Sequence, residues 1–390
     1  MRDIRNLARV DLELPADGIA IVGDNGQGKT NVLEAIAYLH LLRSVRGARD
    51  TDVVRFGARG GSITGEAVRS DRPAAGATRT VTVGFDRQGR RKRVTIDGAP
   101  AERLSDGFGA VPSVAIAPTD VDLVRGGPEE RRRYLDIVLA TTSPAYLAAL
   151  QRYRAALVRR NAVLREMARR TGVRGGAGAE DAAAVWEPQL AEAGAIVRGA
   201  RLAWVARWEG ELARLTAVIG ERGAVAMRYA ARARDDGTGT GTGAGAGAAV
   251  AVAALREALA DELRMSRATD VRRGMTHSGP HRDDLLLTID GRALQAFGSS
   301  GQQRTVAIAL RVLEARTMRV DSGRSPVLLL DDPFAELDEG RARAVLQLVR
   351  GSAEDRGQVI LVVPRADDIP AALDGLDRWR ISGGVLERSA

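Results

Sequence analysis

The segment Gly23-Asp24-Asn25-Gly26-Gln27-Gly28-Lys29-Thr30 sets the strongest limit on what this chain can fold into. It is a complete G-x-x-x-x-G-K-[ST]. The short apolar run Ile19-Ala20-Ile21-Val22 precedes it, and a helical pattern follows from about Thr30 to Leu42, with Val32, Leu33, Ile36 and Leu39 on one face. Strand, Gly-rich loop and helix in that order are the context the motif requires. Glycines allow the backbone to wrap closely around phosphates, so that N–H groups and the helix N-terminus face the negative charge. Lys29 would neutralise the outer phosphate oxygens and Thr30 would hold Mg²⁺. The bland competitor is an ordinary Gly-rich turn, and the lysine argues against it. Of 58 Lys+Arg only Lys29 and Lys92 are lysine, so a lysine at the one position where the motif needs it is informative.

The second chemical signal lies about three hundred residues on. Val327-Leu328-Leu329-Leu330 is an apolar strand that ends in Asp331-Asp332. In open α/β sheets ligands sit at the carboxyl ends of strands, where such an acid reaches the metal of a phosphate-loop nucleotide. Asp331 is the metal-side candidate and Asp332 the candidate for polarising the attacking water, against the alternative of a helix cap after a buried strand. The separation is too great for a compact GTPase or small nucleotide kinase, and no guanine-reading Asn-Lys-x-Asp exists. Between the two lies Phe297-Gly298-Ser299-Ser300-Gly301-Gln302-Gln303, opening a helix. A Ser-x-Gly-Gln there is a second anion site or, taken alone, an ordinary cap.

The surrounding pattern is α/β, split by helices. Strand candidates at Val10–Leu14, Val81–Phe85, Arg93–Ile96 (the last two flanking a turn at Gly89) and Val111–Ala117 fill the first part. From about residue 119 to 273 the texture is long Ala/Leu/Arg/Glu helices, such as 143–170 and 182–219. They are interrupted by low-complexity stretches at 172–179 and 235–249 that can neither bury a core nor hold a helix. Strands at 285–289, 327–330 and 358–363 then alternate with helices at 301–320 and 340–350. The expected architecture is an α/β domain made of residues 1–118 and 274–390, split around an inserted helical arm (119–273).

The chain carries 50 Asp+Glu against its 58 basic residues, a net +8 that favours polyanions. It has no cysteine, which excludes disulfides, thiolate metal sites and a cysteine nucleophile. No apolar run approaches membrane-spanning length and the N-terminus has no targeting pattern, so a cytoplasmic protein is expected, with no membrane partner.

In chain order, the phosphate loop, Ser299-x-Gly301-Gln302, the strand ending in Asp331-Asp332, and Glu336-Leu337-Asp338 resemble an ABC-type ATPase head. That resemblance implies ATP and Mg²⁺ as cofactors and an ATP-sandwiched homodimer. Ser299, Gly301 and Gln302 would then complete the opposite subunit's site, and Asp338 would run along the dimer seam. Longer stretches are similar to the RecF family: GDNGQGKTNVLEAI from Gly23, LRSVRGARDTDVVRFG from Leu42, PTDVDLVRGGPEERRRYLD from Pro118, GPHRDD from Gly279, FGSSGQQRT from Phe297 and LLDDPFAELD from Leu329. This resemblance implies ATP-dependent binding to duplex DNA near single-strand gaps, in gap repair and replication-fork maintenance. It also implies slow ATP hydrolysis as a switch and cooperation with RecO and RecR to load RecA. The arm is too short for the long coiled coil of a Rad50- or SMC-like head. An ATP-gated scaffold without relevant turnover is the rival of another class.

The chain departs from the family pattern in four places. Arg2-Asp3-Ile4-Arg5-Asn6-Leu7 matches a point several residues inside the usual start, so the expectation is that the first strand is missing or the start codon misassigned. Pro364-Arg365 stands where ABC ATPases carry a switch histidine, and the only histidines are His40, His277 and His281. No metal-loop Gln stands near Pro118-Thr119, and the second acid is Asp rather than Glu. The last three point to slow hydrolysis. For DNA, Arg152, Arg154, Arg159, Arg160, Arg165, Arg169 and Arg170 crowd one helix, with Arg152, Arg159 and Arg160 the leading phosphate contacts against the alternative of a solvated face. Arg131-Arg132-Arg133 could serve either purpose. Trp186, Trp204 and Trp208 are expected in the helical core rather than as base-stacking platforms. His281 and Arg282 match the family without an evident chemical role.

Overall fold

The computed structural model describes residues 1–68, 78–88, 92–170, 177–231, 252–334, 337–350 and 357–389. The turn at Gly89, residues 172–176, the stretch 235–249 and Glu336 lie outside them. The chain divides into two compact units, one of residues 1–121, 217–221 and 304–390, the other of 122–216 and 222–303.

The first unit is built on two six-stranded sheets. Apolar runs with no polar alternation make strands buried on both faces, as parallel sheets require. Gly18–Val22, Val359–Val363, Val327–Asp331 and Ser113–Ile116 are of this kind and lie side by side, all parallel. Asp377–Ser382 adds parallel on the other side of Gly18–Val22, and Val385–Arg388 closes the edge as an antiparallel hairpin. The second sheet is antiparallel, in the order Leu7–Arg9, Arg2–Ile4, Gly60–Val68, Thr78–Asp86, Arg93–Ile96 and Ala99–Pro100. Its strand Arg2–Ile4 is present, with three residues. The alternation at Val10–Leu14 forms no strand. Leu12 and Leu14 instead pack against the core beside Ile19, Ile21 and Leu329.

The helix Lys29–Leu41 sits between these sheets. Val32, Leu33 and Ile36 pack with Ile21, Leu329, Ile360 and Val362 of the parallel sheet. Ala35, Tyr38 and Leu39 pack with Ile63, Val81, Val83 and Phe85 of the antiparallel one. A helix covered on two sides has to be apolar nearly all round, which is why the single stripe expected from the sequence understates its burial. Its one buried carboxylate, Glu34, takes both ends of the Arg5 guanidinium at 2.9 and 2.8 Å and a hydrogen bond from the Ser44 hydroxyl.

The second unit consists mainly of the helices Pro128–Thr142, Pro144–Arg170, Glu187–Val218 and Val252–Arg273. It also contains a three-stranded antiparallel sheet, Arg292–Ala293, Asp284–Ile289 and Val225–Ala230. This sheet moves the expected boundary. Asp284–Ile289 pairs along its whole length with Val225–Ala230, so the unit continues past residue 273 to Gln303. Val225–Ala230 has period-two burial, with Val225, Met227 and Tyr229 inside, but lies in a stretch whose composition reads as helix.

Buried charge holds this unit together. Arg160 is 0% exposed and binds Asp270 at 2.7 Å, Thr276 at 2.8 Å and Glu187 at 3.1 Å. That corrects its assignment as a DNA contact: at i+7 and i+4 from Tyr153 and Ala156, it lies on the face of its helix that carries those buried residues. Arg198 forks onto Asp283 and Glu262, and Arg201 reaches Asp136 at 2.7 Å and the Pro280 carbonyl at 2.8 Å. Trp204 and Trp208 are buried, as expected.

Arg160→Ala is expected to lower the unfolding free energy by about 3–5 kcal/mol, because the fully buried Asp270 would lose its guanidinium partner, whereas Glu187 keeps Arg267 at 2.9 and 2.7 Å. Arg152→Ala, on the solvent side of the same helix, should stay within about 0.5 kcal/mol of the parent. Urea unfolding followed by circular dichroism checks both.

Candidate nucleotide site

The parallel sheet decides which residues meet. Gly18–Val22 runs into the phosphate loop, Val327–Asp331 into the acid pair, and Val359–Val363 lies between them pointing the same way. All three carboxyl ends therefore open on one edge. The backbone continues the pairing into the loops, with Gly23 N–H donating to the Val363 carbonyl at 3.4 Å and Asp332 N–H to Val362 at 3.0 Å.

The loop conformation depends on two glycines. Gly26 has φ 81° and Gly28 φ 116°, left-handed conformations that side chains resist. A Cβ on Gly28 would also meet the Asn6 amide at 2.7 Å, while nothing lies within 4 Å of one on Gly26, so the loop's outer face stays open. Gly28 caps the helix Lys29–Leu41. The Asn6 amide donates to the Gln27 carbonyl at 2.8 Å and accepts from Asn31 at 2.8 Å. The Gln27 side chain accepts from Gly383 N–H at 2.6 Å, so it braces the loop against the hairpin turn.

Lys29 folds back on its own loop, donating to the Gly23 carbonyl and to the Asp24 carbonyl at 2.9 Å. The Thr30 hydroxyl donates to Asp331 Oδ2 at 2.9 Å. Burial raises the Asp331 carboxyl above the usual carboxylate range, opposed by the Thr30 hydrogen bond and helped by the neighbouring Asp332. Burial also raises Asp332, with Asp368 adding to it and Arg304 and Lys29 opposing. The Lys29 ammonium is lowered by burial, with Asp331, Asp24 and Asp332 countering. Asp332 has φ 44°, a strained conformation for a residue with a side chain.

These donors suit phosphate and a hard cation. Among the described residues no group of three or more His, Cys, Asp or Glu is placed to hold a metal alone. Mg²⁺ takes one or two protein oxygens and completes its shell with phosphate and water, and Thr30 with Asp331 supplies such a pair.

Ser299 and Gln302 form a reciprocal cap at the start of the helix Ser300–Ser322. Gln302 N–H donates to the Ser299 hydroxyl at 3.3 Å and Ser299 N–H to the Gln302 side chain at 2.9 Å. Ser299 is exposed and Gly301 half-buried. Asp338 caps the helix Glu339–Arg350 by accepting from Arg341 N–H at 2.9 Å. On the long helix of the second unit, Arg152 and Arg159 are exposed, and Arg159 lies over the Trp186 ring at 5.3 Å. Arg154 is tied to Asp136 at 2.7 Å. Arg131 is buried and bidentate to Asp284 at 2.9 and 2.8 Å, which makes it structural.

Residues 1–383 match the RecF/RecN/SMC N-terminal domain family. The DNA replication and repair protein RecF of Frankia alni is 37% identical over 391 residues, spanning 100% of this chain and 98% of its own. Its counterpart from Geobacter sulfurreducens is 34% identical over 98% of this chain and 96% of its own. The chain belongs to the RecF family. A solved structure of the recombination mediator protein RecF with ATP, in the RecFOR pathway, superposes with a TM-score of 0.85 at 26% identity, covering 100% of this chain and 96% of that one. The Smc head of Pyrococcus furiosus bound to the C-terminal domain of ScpA shares the fold alone, with a TM-score of 0.56 at 16% identity. The fold is thus the α/β ABC-type head found in RecF and SMC proteins. Among the described residues no helix is long and apolar enough to cross a membrane.

The family block GPHRDD, whose role the sequence left unassigned, packs inside the second unit. Gly279 has φ 126°, and a Cβ there would meet the Tyr153 hydroxyl at 2.4 Å. His281 Nε2 faces the Thr276 carbonyl at 3.0 Å and so carries the proton. Nδ1 accepts from Tyr153 at 2.6 Å. Asp283 takes Arg198 and the Tyr229 hydroxyl, both at 2.8 Å, and Arg282 reaches the Thr276 carbonyl.

Burial lowers His281 from its ordinary 6.5 to about 4. The unfolded chain therefore takes up a proton here before the folded one does. The stability held by the neutral ring is complete above pH 6.5 and is lost as pH falls toward 4. His281→Asn should show a shallower loss between pH 7 and 4 than the parent when unfolding free energies are compared. Parallel curves would contradict this role.

Proposed function

We propose that this chain is an ATP-gated DNA-binding protein of recombinational gap repair and replication-fork maintenance. The observation that carries the proposal is the placement of Thr30 and Asp331, 2.9 Å apart, at the carboxyl edge of one parallel sheet in a RecF-family chain. Gly23, Asp24, Asn25, Gly26, Gln27, Gly28, Lys29 and Thr30 form the ATP cradle. Lys29 exchanges its two carbonyl partners for phosphate oxygens. Thr30 and Asp331 hold Mg²⁺, whose chemistry when bound is to neutralise phosphate charge. Asp332 orients the attacking water. Ser299, Gly301 and Gln302 serve the partner copy's ATP across a homodimer seam along Asp338. Arg152 and Arg159, exposed on the long helix, supply phosphate contacts to duplex DNA beside a single-strand gap. The ATP-bound neighbour is a RecF of the RecFOR pathway, which supports work with RecO and RecR. Loading of RecA, in the cytoplasm, completes the reading.

Hydrolysis on this reading is a slow, DNA-stimulated release switch. Two features favour that, and with it the second reading of a scaffold with no relevant turnover. The central strand Val359–Val363 leads into Pro364-Arg365 rather than a histidine, and Asp332 is one carbon shorter than the usual glutamate.

A labelled gapped duplex should bind with ATP·Mg²⁺ and lose affinity steeply as salt rises, while Lys29→Met loses the ATP-dependent part. Equal binding with and without ATP would sink the gating proposal. Phosphate release that disappears in Asp332→Asn would exclude the scaffold.

A further inference from the structure

The proposed seam residue Asp338 has a partner with three attachments. Arg341, one turn into the helix that Asp338 caps, sends its guanidinium to three separate segments of the first unit. Nε lies 3.4 Å from Asp338 Oδ2, Nη1 donates to the Thr305 hydroxyl at 2.8 Å, and Nη2 lies 3.8 Å from Glu221 Oε2. Its backbone N–H also bonds the other Asp338 oxygen at 2.9 Å. These contacts join places far apart in the chain. Thr305 is fully buried on the helix Ser300–Ser322, one turn beyond Gly301. Glu221 is a buried carboxylate in Ala217–Glu221, the short run of the first unit that begins with the last two residues of the helix Glu187–Val218 and precedes the strand Val225–Ala230. Gly220 in that run has φ 101°, and a Cβ there would lie 3.8 Å from Arg341 Cγ.

We propose that Arg341 is a positioning residue for ATP-dependent self-association, holding the Asp338 turn in register with the helix that begins at the Ser299 signature and with the Glu221 segment. The inference rests on the sandwich reading given above. Three arguments carry it. Asp338 keeps its side chain 66% exposed, so it is presented outward, while Arg341, its anchor, is only 24% exposed. Burying Glu221 costs free energy that nearby positive charge offsets, and Arg341 contributes to that offset. A guanidinium offers a planar fork with several donors, which lets one side chain serve three partners at once. A lysine ammonium in the same place reaches fewer of them. The contacts with Asp338, Thr305 and Glu221 all lie outside the phosphate loop and the acid pair, so through them Arg341 can act on association while leaving nucleotide binding by one copy alone.

The test uses the full chain and two readouts: affinity for a fluorescent ATP analogue at low protein concentration, and self-association with ATP·Mg²⁺ by sedimentation. Arg341→Ala is expected to bind the analogue within about twofold of the parent but to weaken association by about tenfold or more, a loss of about 1.4 kcal/mol. Arg341→Lys should recover part of the loss. Glu221→Gln, which keeps the volume of the side chain, should weaken association less. Combined with Arg341→Ala it should add nothing, because residues that act through one contact are not additive. Should Arg341→Ala fail to fold, Glu221→Gln and Arg341→Lys decide the matter by the same readouts. Association unchanged in these variants, or additive losses in the double variant, would overturn the role of Arg341 while leaving the sandwich intact. A parent chain that stays monomeric with ATP·Mg²⁺ would overturn the sandwich, and this inference with it.

Discussion

Everything in the candidate site depends on parallel strand pairing that closes a loop of about three hundred residues. Thr30 and Asp331 are 301 positions apart in the chain and 2.9 Å apart in space. Neither residue can create that proximity. It follows from Val359–Val363 filling the space between the phosphate-loop strand and the acidic strand, with all three pointing one way. Loop-closure entropy grows only logarithmically with length, so inserting a whole second unit between the halves of the site costs little more than a short insertion would. The price is borne by the core: Ile21, Leu329, Ile360 and Val362 have to pack against Val32 and Ile36 closely enough to hold the strand order.

The second unit solves a different problem. Its helices carry many arginines, and a helical core that encloses arginine has to pair each one. Arg160, Arg198 and Arg201 are each bound to at least one buried acid, and Tyr146, Tyr153, Tyr229 and His281 occupy the remaining polar positions. Burial pushes Tyr153 and Tyr229 far above the usual phenol range and His281 well below its own, so those groups stay neutral donors and acceptors at physiological pH. Such a network is weak evidence for stability, since apolar replacements often do as well. It specifies a unique arrangement, because a shifted register would strand several charges at once.

How much of this was legible in the sequence varied with how local the cause was. The phosphate loop was readable because its chemistry is contiguous: glycine positions, lysine and threonine lie within eight residues, and the helix placed at Thr30–Leu42 is Lys29–Leu41 in the structure. The strand ending in Asp331 was readable for the same reason. Asn6, Arg304 and Asp368 were not, since each reaches the site through tertiary pairing with no local signature. The strand Val225–Ala230 is hidden in the sequence because its helix-rich neighbourhood outweighs a six-residue alternation, and the second unit's extent to Gln303, which depends on that strand's pairing with Asp284–Ile289, is hidden with it. Arg160 differs from its basic neighbours because a run of arginines along one helix spans more than one face. At 3.6 residues per turn, Arg152 and Arg159 fall on the exposed side while Arg160 falls among Tyr153, Ala156 and Leu164.

That last case bears on what a net charge means in such a protein. The +8 of the composition counts arginines irrespective of where they are used. In the first unit Arg311 is half-buried and paired with Asp120 and Glu314, and in the second Arg131 is taken up by Asp284. These side chains contribute internal pairing and little external field. On the proposed reading the attraction for a polyanion would come from exposed residues such as Arg152 and Arg159, and its salt dependence would scale with the number that meet phosphate, not with the formal charge. A salt slope steeper than a few exposed arginines can supply would therefore place further contacts on surfaces outside this helix. A shallow slope would agree with a charge excess spent largely on the fold.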